Sequence, residues 1–266
     1  MRKKWLDWLT FALLAVLITV FIITGVKLVK NQHASTEAPP YTEPAPTDST
    51  AQPPTESRPT DDAAEPTDPT PPPVEFSAFF ENTLFIGDSR TVGLMEYGGI
   101  TGADFFATSG MSVYNIASEK VSMPGVGVLS LDTLLESKKY DKIYIMLGIN
   151  ELGYRFEQTV DRYEELVDKI QQSQPQALIV IQANLHVSAK RSQTDEVFNN
   201  TNINRYNQAL GELALRKGTQ YLDVNSLFDD ENGNLDAKYT KDNTHILAKY
   251  YVGWAQWLYE QSLAFT

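Results

Sequence analysis

Twelve of the 14 prolines in this 266-residue chain fall between Pro39 and Pro73, and only Pro124 and Pro175 lie elsewhere. Proline has no N–H to give to a sheet ladder or a helix interior, so such crowding forbids regular structure there and cuts the chain into three. Residues 31–75 are rich in Pro, Thr, Ala and acids and hold almost no large apolar side chain. They cannot bury enough surface to offset chain entropy, and are expected to form a disordered, extended and solvated spacer in which His33 has no role. Residues 76–266 are about the size of one domain with its own core.

The segment before the spacer has a different character. Trp8 to Val26 is 19 residues without a charge, just long enough to cross a hydrocarbon core at the helical rise. Trp5 and Trp8 suit the membrane interface, and Lys27 and Lys30 close the far end. A cleaved signal peptide is the competing reading, but no small-x-small site follows the apolar run closely, which favours a retained anchor over residues 1–30. Arg2, Lys3 and Lys4 outnumber the two distal lysines, which places the N-terminus inside and the remainder outside the cytoplasm.

The formal charge is −12, and from residue 76 onward 24 acidic residues face 16 basic ones. Nucleic-acid binding needs a basic face to neutralise phosphates, so that class is set aside. With no cysteine there is no disulfide, thiol nucleophile or thiolate metal site. The three histidines are His33, His186 and His245, so a histidine base has few candidates. No metal or organic cofactor is called for.

Five short β-like runs stand out after the spacer: TLFIGD (83–88), ADFFATS (103–109), KIYIMLG (142–148), ALIVIQAN (177–184) and TQYLDVN (219–225). The third and fourth are nearly continuous apolar runs, as strands covered on both faces should be. Residues 156–172 put Val160, Tyr163, Leu166, Val167 and Ile170 on one helical stripe, residues 200–218 do likewise and stop at Gly218, and residues 246–263 read as a closing amphipathic helix. This alternation predicts a three-layer α/β/α sandwich around a mainly parallel five-stranded sheet. Ligands of such sheets sit beyond the carboxyl ends of the strands. Ser89, Gly110, Asn150 and the pair Asp242 and His245 all lie just past or downstream of those ends.

Acyl transfer to a serine needs a hydroxyl, a base, a group that orients the base, and donors for the oxyanion. Ser89 supplies the hydroxyl, and Asp242 and His245, three residues apart, supply a carboxylate that can fix the imidazole's tautomer. The backbone N–H of Gly110, the side-chain amide of Asn150 and the N–H of Ser89 at a helix start are the candidate oxyanion donors. Taken alone, Gly87-Asp88-Ser89 is equally an ordinary helix start with Asp88 or Ser89 as the cap.

The four blocks FIGDSRTVGL, ATSGMSV, MLGINELG and DNTHI resemble, in this order, those of the SGNH/GDSL hydrolase family, and the resemblance spans residues 80–262. It implies a flavodoxin-like fold, a Ser89–His245–Asp242 triad and an oxyanion hole from Ser89, Gly110 and Asn150. There are departures: Arg90 stands where the family often has Leu, Glu151 where many members have Asp, and Asn243-Thr244 where Gly is frequent. None removes a functional atom of that machinery.

The expected activity is hydrolysis of acyl esters, chiefly acetyl, through an acyl-serine intermediate by a domain tethered outside the membrane. Anchor and spacer together suggest an acetylated cell-envelope glycan as substrate. O-acetyl transfer by the same triad and a non-catalytic glycan-binding module are the alternatives.

Around this set, Arg90 is expected either to face the substrate or to pair with Glu151, and Glu151 and Tyr154 are candidate substrate contacts. Met111, Tyr114 and Phe156 are candidate cleft wall, and His186 either rims the crevice or is structural. Residues 229–236, DDENGNLD, carry carboxylates, but Asn232-Gly233 reads as a turn rather than a calcium loop.

Overall fold

The computed structural model describes residues 77–265; the anchor expected at 1–30 and the spacer at 31–75 lie outside them. Among the described residues no helix is long and apolar enough to cross a membrane. After a short helix α1 (Ser77–Phe80), the chain alternates between strand and helix. It runs β1 (Thr83–Gly87), α2 (Ser89–Tyr97), β2 (Asp104–Ala107), a ribbon of β3 (Val121–Met123) and β4 (Gly127–Leu129), then α3 (Leu131–Ser137). There follow β5 (Lys142–Met146), α4 (Phe156–Ser173), β6 (Leu178–Gln182), α5 (Ala189–Thr194) and α6 (Asn200–Lys217). The chain closes with β7 (Gln220–Leu222), α7 (Asn225–Phe228) and α8 (Tyr251–Ser262).

The main sheet has the order β2-β1-β5-β6-β7, and every neighbouring pair is parallel. The chain steps outward from β1 to β2 and then returns to the other side of β1 as β5. This reversal makes the β1/β5 boundary the switch point at which flavodoxin-like sheets open a crevice.

Strand alternation divides the core between two faces. Leu84, Ile86, Ile143, Ile145, Ile179 and Ile181 point to one side and pack with Leu134 of α3, Tyr163, Val167 and Ile170 of α4, and Leu210 and Leu213 of α6. Phe85, Phe105, Tyr144, Met146 and Val180 point to the other and pack with Leu94 of α2 and Trp254, Ala255 and Leu258 of α8. On this second face Phe85 stacks on Phe105 at 4.9 Å and on Tyr144 at 4.8 Å, a ladder that pins the register of β2, β1 and β5. Such pairs contribute about 0.5–1.5 kcal/mol each beyond their burial.

Three details differ from the sequence reading. The sheet is wholly parallel, and the only antiparallel pairing between strands of the described residues is the separate β3–β4 ribbon. That ribbon is too short to stand out in sequence: its strands are three residues long, and only β3 alternates, with Val121 and Met123 buried and Ser122 exposed, while Val128 of β4 is exposed. The closing α-helix starts at Tyr251, because Ile246 is held in an antiparallel bridge to Thr240 and Ala248–Tyr250 form a separate 3-10 turn.

Candidate active site

The break after β1 divides two jobs between neighbouring residues. Asp88 is the N-cap of α2: its backbone is extended, and its Oδ1 accepts from the N–H of Arg90 at 2.9 Å. With the cap supplied by Asp88, the hydroxyl of Ser89, first residue of the helix, is left free. Its Oγ lies 2.9 Å from His245 Nε2, and His245 Nδ1 lies 2.7 Å from Asp242 Oδ2. A carboxylate can only accept, so Nδ1 carries the proton, and Nε2 is left as the acceptor for the Ser89 hydroxyl.

Asp242 works with both oxygens. Oδ1 accepts from the N–H groups of His245 at 2.8 Å and Thr244 at 2.9 Å, while Oδ2 holds the imidazole. Partial burial alone would raise its pKa, but the hydrogen bonds from the backbone and ring of His245 and from Thr244 outweigh it and hold the carboxyl down at about 2. Between the pair, Asn243 has φ 68°, the left-handed region that asparagine tolerates best after glycine. This is why Asn can stand where the resembling family often has Gly. The loop is fastened from outside. Ser188 donates its N–H to Asn243 O at 3.0 Å and its Oγ–H to Asn243 Oδ1 at 2.9 Å, and the Arg191 guanidinium donates to the Thr244 hydroxyl.

On the other side, the turn after β5 is built on Gly148, with φ 131°; a Cβ there would run into the ring of Tyr206 and lie 2.9 Å from Asn184 Nδ2. Asn150 follows in a 3-10 turn, and one amide hydrogen of its Nδ2 goes to Met111 O at 2.9 Å. The other remains available to a ligand. Gly110 has φ 77° and nothing near a would-be Cβ, so the turn requires glycine for its conformation rather than for space. The first N–H groups of α2, Ser89's included, have no intrahelical carbonyl to serve.

Two residues expected at the substrate, Arg90 and Glu151, are buried. Arg90 is 1% exposed and cannot face a substrate, nor does it pair with Glu151. As the second residue of α2 its side chain runs into the protein, where the nearest acid is Asp88, Nη1 to Oδ2 3.7 Å. Burial raises the Asp88 pKa and lowers that of Arg90, each opposed by the charge of the other. Glu151 is also buried, 2% exposed, because its Oε1 accepts from Val113 N–H at 2.6 Å and ties the Asn150 turn to the loop after Gly110. Burial, with some repulsion from Asp88, pushes its pKa up to about 8 against the opposing hydrogen bonds.

The remaining candidates are placed as follows. Tyr154 is 44% exposed and stacks on Tyr114 with ring centroids 4.7 Å apart. Phe156 lies under the Arg205 guanidinium at 3.7 Å, and Met111 is core. His186 is buried among acceptors, with Nδ1 2.8 Å from Asp229 Oδ2 and Nε2 2.7 Å from Asn204 Oδ1. Burial would lower its pKa, but Asp229 and Asn204 raise it, and with both ring nitrogens engaged it is structural rather than a rim base. Residues 229–236 close on themselves, with Asp230 Oδ1 accepting from Asn232 N–H at 2.9 Å and Asn234 N–H at 3.0 Å.

Sequence reasoning missed the asparagines that carry the site. Residues 183–188 run on past the end of β6, buried, with no sheet neighbour along most of their length. Asparagine side chains take the neighbour's place: Asn207 Oδ1 accepts from Asn184 N–H, Asn225 Oδ1 from His186 N–H and Asn200 Oδ1 from Val187 N–H, each at 2.8 Å. Their amides donate back to Asn184 O and Val187 O. That scaffold delivers Ser188 to the Asp242–His245 loop. The available signal was the density of asparagines in NNTNINRYN at the start of α6, too many for a helix that only had to pack.

A family model described as the GDSL-like lipase/acylhydrolase family matches residues 85–251. No curated protein matches the chain in sequence. Among solved structures, a provisionally named platelet activating factor from Streptococcus pneumonia is similar at 23% identity and TM-score 0.55, over 68% of this chain and 83% of that one. A GDSL-like lipase from Bacteroides thetaiotaomicron is similar at 16% identity and TM-score 0.51, over 68% and 88%. A provisionally named lipolytic protein of the G-D-S-L family from Desulfitobacterium hafniense is similar at 13% identity and TM-score 0.51, over 67% and 97%. At these identities the likeness is one of fold.

Proposed function

Since the chain belongs to the GDSL-like lipase/acylhydrolase family and is a hydrolase, we propose that it is a membrane-anchored serine esterase acting outside the cytoplasm on acetyl esters of a cell-envelope glycan. The observation that carries the catalytic part is the hydrogen-bonded chain from Ser89 Oγ through His245 to Asp242, at 2.9 and 2.7 Å. In this reading Ser89 Oγ attacks the ester carbonyl carbon while its proton passes to His245 Nε2. Asp242 stabilises the imidazolium through Nδ1–H. Charge on the carbonyl oxygen is met by the N–H groups of Ser89 and Gly110 and the second amide hydrogen of Asn150. The tetrahedral intermediate collapses, the alcohol leaves with the proton from Nε2, and water, activated by the same imidazole, releases the acid from the acyl-serine.

The anchor and location rest on the uncharged run Trp8–Val26 and the proline-rich spacer behind it. The glycan rests on that location, since a tethered domain meets what the envelope offers.

The test uses the full chain in mild detergent with p-nitrophenyl acetate. Wild type should hydrolyse it, and Ser89→Ala and His245→Ala should each lose on the order of 10³-fold or more in kcat. Full activity in Ser89→Ala would end the serine mechanism. For location, protease added to intact cells should remove the catalytic domain, and complete protection would refute the topology.

A further inference from the structure

The segment that leaves the Asn150 turn, together with the start of α6, encloses a pocket of about 80 Å³, and Glu151, Tyr154, Phe156, Asn202, Arg205 and Tyr206 are among its walls. Its first wall residue, Glu151, follows the proposed oxyanion donor Asn150 and ties that turn to the loop after Gly110 by accepting from Val113 N–H at 2.6 Å, so the pocket is walled by the segment that carries the candidate site. Resting on the glycan reading above, we propose that this pocket is the subsite for the alcohol portion of the ester, where Tyr154 stacks on a sugar ring and the polar walls take its hydroxyls.

The walls discriminate among ligand classes. A subsite for a long acyl chain should be lined by aliphatic groups, and here Leu152 is the one aliphatic hydrocarbon side chain among aromatic and polar walls. Both amide hydrogens of Asn202 are used on Glu196 O at 3.3 Å and Val197 O at 2.9 Å, so the side chain presents its Oδ1, an acceptor. Arg205 presents guanidinium N–H donors while lying over Phe156 and pairing with Glu157 at 3.4 Å. Two further wall residues, Glu151 and Tyr206, are buried, and each keeps one polar atom, Oε2 and the hydroxyl, without a hydrogen-bond partner. A mixture of donors and acceptors around aromatic rings matches a neutral polyol. An anion is disfavoured, because Arg205, the one basic side chain among the residues lining the pocket, already has a carboxylate partner in Glu157.

Tyr154 is also held in advance for stacking. Tyr114 covers one of its faces, and Tyr114 is itself fixed by a 3.0 Å hydrogen bond between its hydroxyl and that of Thr159. The exposure of Tyr154 is therefore that of its other face, and little side-chain freedom remains to be lost on binding. The pocket's volume suits the hydroxyl-bearing edge of one ring, with the rest of the ring over Tyr154.

The experiment compares kcat/KM of the full chain on p-nitrophenyl acetate, which has no sugar, with that on O-acetylated xylo-, manno- and chito-oligosaccharides. In Tyr154→Ala the ratio of oligosaccharide to p-nitrophenyl acetate should fall roughly tenfold, the scale of one aromatic contact, mainly through KM, and Tyr154→Phe should keep it. Because both substrates see the same folded fraction, a partly unfolded variant leaves the ratio unmoved. A ratio preserved in Tyr154→Ala overturns the subsite while leaving the glycan esterase standing. A wild type that cleaves p-nitrophenyl acetate but none of the oligosaccharides overturns the glycan reading, and the subsite with it.

Discussion

Glu151→Gln isolates one buried carboxyl whose protonation is coupled to folding. In the folded chain its pKa is raised to about 8 from an ordinary 4.5, mainly by burial. Its folded pKa lies above its unfolded value, so the folded state binds the proton more tightly. Between pH 5 and 8 the unfolded chain has lost that proton and the folded chain has not, so stability falls as pH rises, by about 1.4 kcal/mol per unit. Across the window this is roughly 4 kcal/mol, and it levels off above pH 8. Glutamine keeps the acceptor that serves Val113 N–H but places an amide donor where Oε2 has no partner, at a cost of about 1–3 kcal/mol that does not vary with pH. The assay is urea unfolding of both full-length proteins in the same detergent at pH 5, 6, 7, 8 and 9. Other titrating groups cancel in the difference between the two. Gln should be the less stable at pH 5 and gain on wild type steadily up to pH 8. A difference that stays constant from pH 5 to 9 would refute the raised pKa and the burial argument behind it.

Other substitutions probe the frame of the site. Gly148→Ala combines φ 131° with a Cβ that meets Tyr206, and should cost roughly 3 kcal/mol or more in thermal unfolding; a loss under 1 kcal/mol would show the turn can yield. Asn243→Gly loses the hydrogen bond from Ser188 Oγ but keeps the left-handed turn, whereas Asn243→Ala loses that bond and strains the turn, so Ala should be the less stable by about 1 kcal/mol. Arg90→Met leaves Asp88 buried without its cation, and should cost about 3–5 kcal/mol; Asp88→Asn/Arg90→Met keeps the helix cap without the charge, and should recover part of that loss. Asp242→Asn would put an amide donor against Nδ1 and force the other tautomer, lowering kcat on p-nitrophenyl acetate by about 10³–10⁴ with the fold intact.

The sequence by itself determined what depends on near neighbours and on periodicity. The uninterrupted apolar runs KIYIML and ALIVIQ can only be strands covered on both faces, and they became β5 and β6 at the centre of a parallel sheet. The order of the four blocks put Ser89, Gly110, Asn150 and Asp242–His245 beyond strand ends, and parallel strands bring such ends to one edge whatever the details. The Asp242–His245 contact spans three residues, and spacing alone placed it within reach. What the tertiary structure decided depends on contacts between distant residues. Whether Asp88 or Ser89 caps α2 was open until a histidine 156 residues away met the Ser89 hydroxyl. Glu151 reads as a substrate contact or a partner for Arg90, and it is buried because an N–H 38 residues upstream donates to its carboxyl. Arg90 reads as a cation beside a cleft, but helix geometry turns it into the protein, toward Asp88. Residues 183–188 end a strand in sequence, and only the arrival of α6 and α7 supplies the asparagines that let them continue buried. Local chemistry is written in spacing, whereas burial is settled by which surfaces the folded chain brings together.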